Sequence, residues 1–458
     1  MPSDAVAPGD PQRYTVVSID SHVGPSVKDQ LRPYCESKYL DDFDRFVAEM
    51  ESHGLLSWRS SEANKPGHDE NWSVGRSQAE LGKDQAEQFG KVAGIRNADQ
   101  VDFRFLQRSY EASLLPGLQD PAARLADMDR CGVAAAVIFH GGLNGQSIPF
   151  STTGLIAWGD SRYNELEPVG VHVYNRWFAD FVASAPERHV GIAHIPISDP
   201  EACVREVEWA AEAGLRGINL PAPRGDFPML NDPVWEPLWS VCEETGLSLN
   251  THGGGGEHFP YEGQGAQAMY MMETPWRTRR GVWVMILGGV FERHPSLKLV
   301  LTEQWADWAA QVIADMDGLY HGPVASAVRA ALPRPPSDYF RQNCFVGASF
   351  LSNWEAKFCI EHGLSANTMW GDDYPHAEGT WPHTRQAMQF TFHDIDEQHT
   401  RQYLGETAIE VYGLDCAALE KVAGEIGPTV AEIATPCTPP ADEAVGLYAF
   451  RTGPGIFI

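Results

Sequence analysis

A short apolar run near residue 370 ends abruptly in two carboxylates and a histidine. The stretch Asn367 to Pro382 reads N-T-M-W-G-D-D-Y-P-H-A-E-G-T-W-P, so Asp372, Asp373 and His376 follow the run directly. Such a run is typical of a buried strand, and in a (β/α)8 barrel the chemistry lies at the carboxyl ends of the strands. The three are therefore candidate active-site residues, although only one of two adjacent aspartates can face the interior of an extended strand.

Other apolar runs also end in side chains that bind metals. Asp20 and His22 follow the first run, and residues two apart share one face of an extended chain. His252 precedes four glycines, and Glu303 follows L-K-L-V-L-T, where burying its charge without a cation would be costly. A lone histidine after a strand is more often a hydrogen-bonded core residue than a ligand. The remaining polar residues after predicted strands are His140, His194 and Asn219.

The donor types indicate which metals such a set would hold. Histidines and carboxylates without cysteine are typical of catalytic Zn, Mn or nonheme Fe rather than of structural zinc. The eight cysteines are scattered without a C-x-x-C pair, which argues against a thiolate zinc site.

Alternating strands and helices must position these side chains. The predicted strands are 13–20, 133–139, 190–197, 217–220, 247–251, 297–302, 343–346 and 368–370. Strands that alternate with helices in this way predict a (β/α)8 TIM barrel. We expect one domain over 1–458, with a long insertion at 26–120 that covers the mouth as a lid and with C-terminal helices and a tail at 394–458.

The overall composition excludes some partners. The net charge of −28 argues against binding nucleic acid. No apolar run approaches a membrane span and no secretory signal precedes the first strand, so we expect a cytoplasmic protein. Arg277, Arg279 and Arg280 form the best basic patch, which could bind phosphate or be a solvated charge run. Met271 and Trp276 could line an apolar substrate wall or belong to the core.

The chain resembles the metal-dependent amidohydrolase superfamily, in the amidohydrolase-2 branch that includes decarboxylases. The matching stretches are G-D-D-Y-P-H, R-L-A-D-M-D-R-C-G-V-A-A-A-V-I-F, P-E-R-H-V-G-I-A-H-I-P-I-S-D-P, A-G-L-R-G-I-N-L and Y-G-L-D. By position, the resemblance implies metal ligands at Asp20, His22, His252 and Asp373. The chain departs from the branch in having Asp20 at the first ligand position and Glu303 where decarboxylases often place a catalytic histidine.

Within the superfamily, the pattern of candidate ligands with the added carboxylate, together with the long first insertion, resembles that of the TIM-barrel nonheme diiron monooxygenases of platensimycin and platencin biosynthesis. This resemblance implies two irons, O2, an electron donor and hydroxylation of an unactivated carbon in a hydrophobic, diterpenoid, coenzyme A-linked acyl substrate of secondary metabolism. Arg277, Arg279 and Arg280 would bind the phosphorylated carrier. The implied iron ligands are Asp20, His22, His194, His252, Glu303, Asp373 and His376. The implied catalytic residues are Asp372, Asp373 and Glu303.

Two alternatives remain open. One Zn or Mn would support hydrolysis or nonoxidative decarboxylation, with Asp373 as general base. A barrel that only binds a ligand would hold no metal, although so many titratable groups at one rim argue against it. By analogy of fold we also expect a homodimer.

Overall fold

The computed structural model of the chain describes residues 12–52, 111–141, 147–151, 161–222, 227–253, 265–323, 326–439, 448 and 450–452. Most of the predicted insertion at 26–120 lies outside the described residues.

The described strands form one parallel sheet of nine segments. They are β1 Val17–Ser18, β2 His22–Val23, β3 Ala135–His140, β4 His189–His194, β5 Gly217–Asn219, β6 Ser248–Thr251, β7 Leu299–Leu301, β8 Cys344–Ala348 and β9 Thr368–Trp370. Each strand from β3 onward pairs with the next in sequence, and both β1 and β2 pair with β3. Thus β1 and β2 together occupy the place of the first barrel strand.

Hydrogen bonds between the first and last strands close the sheet. The Ile19 amide donates to the carbonyl of Trp370 at 3.2 Å, the Asp373 amide to that of Asp20 at 3.0 Å, and the His22 amide to that of Tyr374 at 2.7 Å. The prediction of a (β/α)8 barrel is confirmed.

Helices connect the strands and surround the barrel. Asp120 caps the helix Pro121–Cys131 by accepting from the amides of Ala122 and Ala123, and Gly132 ends it at φ 77°. No helix in the described ranges is long and apolar enough to cross a membrane. The other α-helices are Leu40–Ser52, Glu167–Ala183, Pro200–Glu212, Glu236–Thr245, Ala266–Leu287, Val290–Arg293, Trp308–His321, Ser326–Ala331, Pro336–Asn343, Asn353–Glu361, Thr384–Phe392, Glu397–Arg401, Thr407–Tyr412, Cys416–Ile426 and Val430–Ile433.

The segment after β2 is broken into short helical turns before its first α-helix. A π-helical turn, Val27–Leu31, leads into the 3₁₀ turns Arg32–Tyr34 and Ser37–Tyr39 before the helix Leu40–Ser52 begins. Pro33 explains the break, because proline lacks an amide donor and its ring clashes with the preceding turn of an α-helix.

The barrel interior is apolar below the site and is plugged at its amino-terminal end. Val17, Ile19 and Met369 belong to the same buried cluster as residues of the helix Thr407–Tyr412. The hydroxyl of Tyr412 reaches the interior and donates to Oδ1 of the fully buried Asn250 at 2.8 Å. The C-terminal extension therefore seals the end of the barrel opposite the strand carboxyl ends.

We predict that Tyr412→Phe destabilises the fold by about 1–3 kcal/mol, because Oδ1 of Asn250 would lose its donor while still buried. Thermal or urea unfolding measures the effect. The matched control is Tyr34→Phe, whose hydroxyl donates to Asp180 at an exposed site where water can replace it. Equal stability of the two variants would contradict the prediction.

Candidate metal centre

Metal-binding side chains converge at the carboxyl end of the barrel. In the described part of the chain, three overlapping groups offer ligand atoms that all lie within 4.8 Å of one another inside each group. The groups are Asp20, His22 and His252; His22, Asp373 and His376; and Glu303, Asp373, His376 and Glu378.

A break in the first strand turns Asp20 and His22 toward the interior. Val17 and Ile19 belong to the interior cluster, so strict alternation would send residues 20 and 22 to the outer face. The interruption between β1 and β2 reverses this phase, as a β-bulge does. Nε2 of His252 then lies 3.1 Å from Oδ1 of Asp20, and Nε2 of His22 lies 3.3 Å from the same oxygen.

Asp373 joins the two halves of the cluster. Its Oδ1 lies 3.1 Å from Nε2 of His22 and 3.0 Å from Nδ1 of His376, whose ring stacks on that of His22 at a centroid distance of 3.9 Å. Its Oδ2 is buried without a hydrogen-bond partner. Because a buried carboxylate oxygen without a partner is costly, a cation would satisfy it here.

The backbone is strained at two of these residues. Asp373 and Glu303 have φ angles of 50° and 58°, a region that residues other than glycine seldom adopt. A Cβ at Gly253 would lie 2.0 Å from Oε2 of Glu303, so the first glycine after His252 leaves the space that this carboxylate fills. Nδ1 of His252 lies 3.5 Å from the same oxygen.

Glu378 belongs to the cluster but was not among the predicted site residues. Its Oε2 is buried without a hydrogen-bond partner, as is Oδ2 of Asp373. The available signal was its place two residues after His376 in the same loop.

Burial and the charges of neighbouring carboxylates together favour the protonated forms of side chains in this cluster. Burial, with the charges of Asp373 and Asp20, raises the pKa of Glu303 to about 8, and burial also raises that of Glu378 to about 7. Although burial alone would lower them, neighbouring carboxylates raise the pKa of His252 to about 10 and that of His376 to about 9. A divalent cation would displace these protons, so the donor set fits one.

Asp372 faces the outer side of the barrel. It accepts from the Ser18 hydroxyl at 2.7 Å and from the Tyr374 amide at 3.3 Å, and burial raises its pKa to about 6. Arg124 lies on the same side, donates to the carbonyl of His22 at 3.1 Å and stacks 4.2 Å from the ring centroid of Tyr374. The Arg124 side chain therefore holds the backbone of His22 in place from the outer side of the barrel.

The structure separates His194 from the three ligand groups. Its ring lies edge-on to that of His140 at 5.8 Å and to that of Tyr174 at 5.6 Å, and its Nε2 is 3.5 Å from Nδ2 of Asn219. Burial, with the charges of His140 and His252, holds the pKa of His194 well below its usual range. These residues form a polar wall on β3, β4 and β5, beside the metal ligands.

The predicted arginine patch is divided between core and surface. Arg279 is buried, with its guanidinium 4.5 Å from the ring of Trp276 and 4.8 Å from that of Trp308, and it donates to Gln304 at 2.9 Å. Arg277 is also buried, whereas Arg280 is exposed. Trp276 is 46% exposed, and the side chain of Met271 lies outside the described residues.

Comparison with known proteins identifies the relatives of the chain. Residues 116–414 match the family model described as amidohydrolase. The chain is 26% identical over 249 residues to 2-amino-3-carboxymuconate-6-semialdehyde decarboxylase of Dictyostelium discoideum. The aligned residues cover 53% of this chain and 66% of the relative. The chain is also 26% identical over 221 residues to gamma-resorcylate decarboxylase of Rhodococcus jostii, covering 44% and 64%. The chain thus spans slightly less than two thirds of these curated relatives.

A solved structure shares the fold. The 5-carboxyvanillate decarboxylase of Novosphingobium aromaticivorans, complexed with manganese and 4-hydroxy-3-methoxy-5-nitrobenzoic acid, has a TM-score of 0.55 and 17% identity, with coverage of 90% of this chain and 100% of that one.

These findings correct the predicted chemistry. The relatives are decarboxylases, which are lyases, so the expectation of a monooxygenase in diterpenoid secondary metabolism is wrong. Two irons with O2 are wrong as well, because the structural neighbour is described with manganese. The expected membership of the amidohydrolase superfamily is confirmed.

We predict that metal binding releases protons and strengthens as the pH rises. Since the pKa values of His252 and His376 lie above neutrality, protons compete with the metal at pH 6.5, and this competition weakens toward pH 9. For one displaced proton the Kd for Mn²⁺ falls by about tenfold per pH unit.

Calorimetry in buffers of different ionisation enthalpy measures the released protons. The exposed His321 is the matched control, and His321→Gln is expected to leave both the Kd for Mn²⁺ and the number of released protons unchanged. An affinity for Mn²⁺ that stays constant from pH 6.5 to 9 would refute the prediction.

Proposed function

The chain belongs to the amidohydrolase family, and we propose that it is a nonoxidative decarboxylase that removes CO2 from a small, unsaturated or aromatic carboxylic acid with the help of one divalent cation. One observation carries the proposal: Asp20, His22 and His252 share one cluster, and His22 also lies beside Asp373. The decarboxylase relatives support this reaction over other chemistry of the family.

We propose that Asp20, His22, His252 and Asp373 hold the cation, with manganese as the first ion to test because the structural neighbour is described with it. When bound, the ion supplies a Lewis acid that polarises substrate oxygens. Ser349 donates to Oδ2 of Asp20 and so fixes the orientation of that carboxylate.

The reaction needs one proton and no oxidant. The bond between the substrate carbon and its carboxylate breaks, the electron pair stays on that carbon, CO2 leaves, and a proton is added to the carbon. We assign the delivery of this proton to Glu303, which lies at the carboxyl end of β7 against His252. Dioxygen and an electron donor have no place in this balance.

The polar wall of His140, His194 and Asn219 would face the substrate from the side opposite Glu303. A neutral imidazole and an amide can donate to the hydroxyl or carboxylate oxygens of a small acid. The compounds named for the relatives and the structural neighbour are small acids or phenols, which supports such a substrate over a coenzyme A thioester. The homodimer, the cytoplasmic location and the roles of the arginines stay predictions from sequence.

Hydrolysis is the second candidate reaction. The observation that favours it is Glu303 itself, because a carboxylate suits the activation of water, with Asp373 as the alternative general base. The two reactions differ in their products, since only decarboxylation releases CO2.

We predict that the manganese-loaded protein releases CO2 from at least one acid in a panel of 2-hydroxybenzoates, 5-carboxyvanillate and carboxymuconate semialdehydes, at the same rate with and without O2. Glu303→Gln is expected to retain manganese and to lower kcat by about 10²–10⁴-fold, because it removes the proton donor. Asp373→Asn is expected to lose manganese and activity together.

Released CO2 and metal content by mass spectrometry are the measurements. The exposed Glu208 provides the matched control, Glu208→Gln, which should keep both. Absence of CO2 from every acid, with hydrolysis of an ester or amide analogue instead, would replace decarboxylation by hydrolysis.

A further inference from the structure

The end of the described chain returns to the carboxyl end of the barrel. Arg451 is only 1% exposed, donates to the carbonyl of Phe350 at 2.9 Å and forms an ion pair with Glu355. Its guanidinium also lies 4.8 Å from the ring of Trp305. A charge this deeply buried is held in one place, because leaving its partner alone would be costly.

Glu355 connects this arginine to two loops of the active site. Its Oε1 accepts from the amide of Ala306 at 3.1 Å, and its Oε2 accepts from the amide of Ser352 at 2.9 Å. The first loop follows β7 and carries Glu303, and the second follows β8 and carries Ser349. Arg451 is therefore fixed beside the loops that hold the proposed proton donor and orient Asp20.

Phe450 fixes the same segment on another side. It is 5% exposed, packs with Ala387 and has its ring 5.5 Å from that of Phe390. Both partners belong to the helix Thr384–Phe392, which follows the loop of Asp373, His376 and Glu378. Arg451 and Phe450 thus lie beside the loop after β8 and the helix that follows the β9 loop.

Tyr448 packs against the loop that follows β8. Its ring is 5.2 Å from that of Phe350, which stands next to Ser349. Burial, and then the charges of Glu378 and Glu303, raise the pKa of Tyr448. The phenol therefore lies within electrostatic range of both acidic residues at the mouth.

We propose that Tyr448, Phe450 and Arg451 form a wall of the active site and that Tyr448 determines specificity, packing its ring against an aromatic acid and donating its hydroxyl to one of the acid's oxygens. The nature of the ligand rests on the proposed function. The position of the wall is inferred from the contacts of Arg451 and Phe450 and does not depend on the proposed function. Tyrosine suits this role, because its ring offers apolar area and its hydroxyl a donor.

The first experiment tests position without any substrate. 3-Fluorotyrosine is placed at position 448, and its ¹⁹F resonance is compared in protein loaded with diamagnetic Zn²⁺ and with paramagnetic Mn²⁺. We expect severe broadening with Mn²⁺ alone. The same label at Tyr14, which precedes β1 at the opposite end of the barrel, should stay sharp. Equal line widths at position 448 with both metals would overturn the proposal that this segment forms a wall of the active site.

The second experiment tests recognition. Binding of 4-hydroxy-3-methoxy-5-nitrobenzoate to the manganese-loaded protein is measured from the absorbance of the nitrophenol. We expect Tyr448→Phe to raise the Kd by about tenfold through the lost hydrogen bond, and Tyr448→Ala to raise it further. The matched control is Tyr320→Phe, whose hydroxyl donates to the carbonyl of Leu332 away from the mouth.

The outcomes separate this proposal from the proposed function. Wild-type affinity in both Tyr448 variants, at unchanged manganese content, would overturn the role in specificity. A wild-type protein that neither binds the probe nor decarboxylates any acid would overturn the aromatic-acid ligand and the proposed function together. The ¹⁹F result would still decide whether the segment forms the wall.

Discussion

Negative charge crowded at one end of the barrel governs the rest of the structure. Asp20, Asp373, Glu303 and Glu378 lie around three imidazoles, and four carboxylates cannot all stay ionised there without a cation or protons. The buried oxygens of Asp373 and Glu378 that lack hydrogen-bond partners, and the raised pKa values of Glu303 and Glu378, have the same cause. A site of this kind is costly to the fold, and such costs concentrate where a protein does its chemistry.

The scaffold holds this charge in place through its backbone. The break between β1 and β2 turns Asp20 and His22 inward, and left-handed conformations at Glu303 and Asp373 place their carboxylates beside the imidazoles. In the described part of the chain, the helix Thr407–Tyr412 closes the far end of the barrel, and the site lies at the carboxyl ends of the strands. Arg451 lies beside the loop that follows β8 at this end of the barrel.

The sequence predicted the barrel well because strand position and strand ends are local properties. Apolar runs followed by polar residues located Asp373 and His252 near a common rim. The same logic could not predict distances between side chains at the rim, so the sequence could not show that the ring of His194 lies beside that of His140 and apart from the three ligand groups. It missed Glu378, which belongs to a loop, and Tyr448, whose place depends on a distant ion pair. Counting ligands by position also inflated the expected metal number, and the predicted oxidation chemistry followed from that count.

The seam between the first and last strands has a consequence for synthesis. Asp20 and His22 stand on one side of it, and Asp373 and His376 stand on the other. A ribosome delivers the first pair early and the second pair only after most of the chain has emerged. An unfinished chain therefore lacks Asp373, the carboxylate that joins the two halves of the cluster, so the cluster is complete only after most of the chain is made and the two ends of the barrel have met.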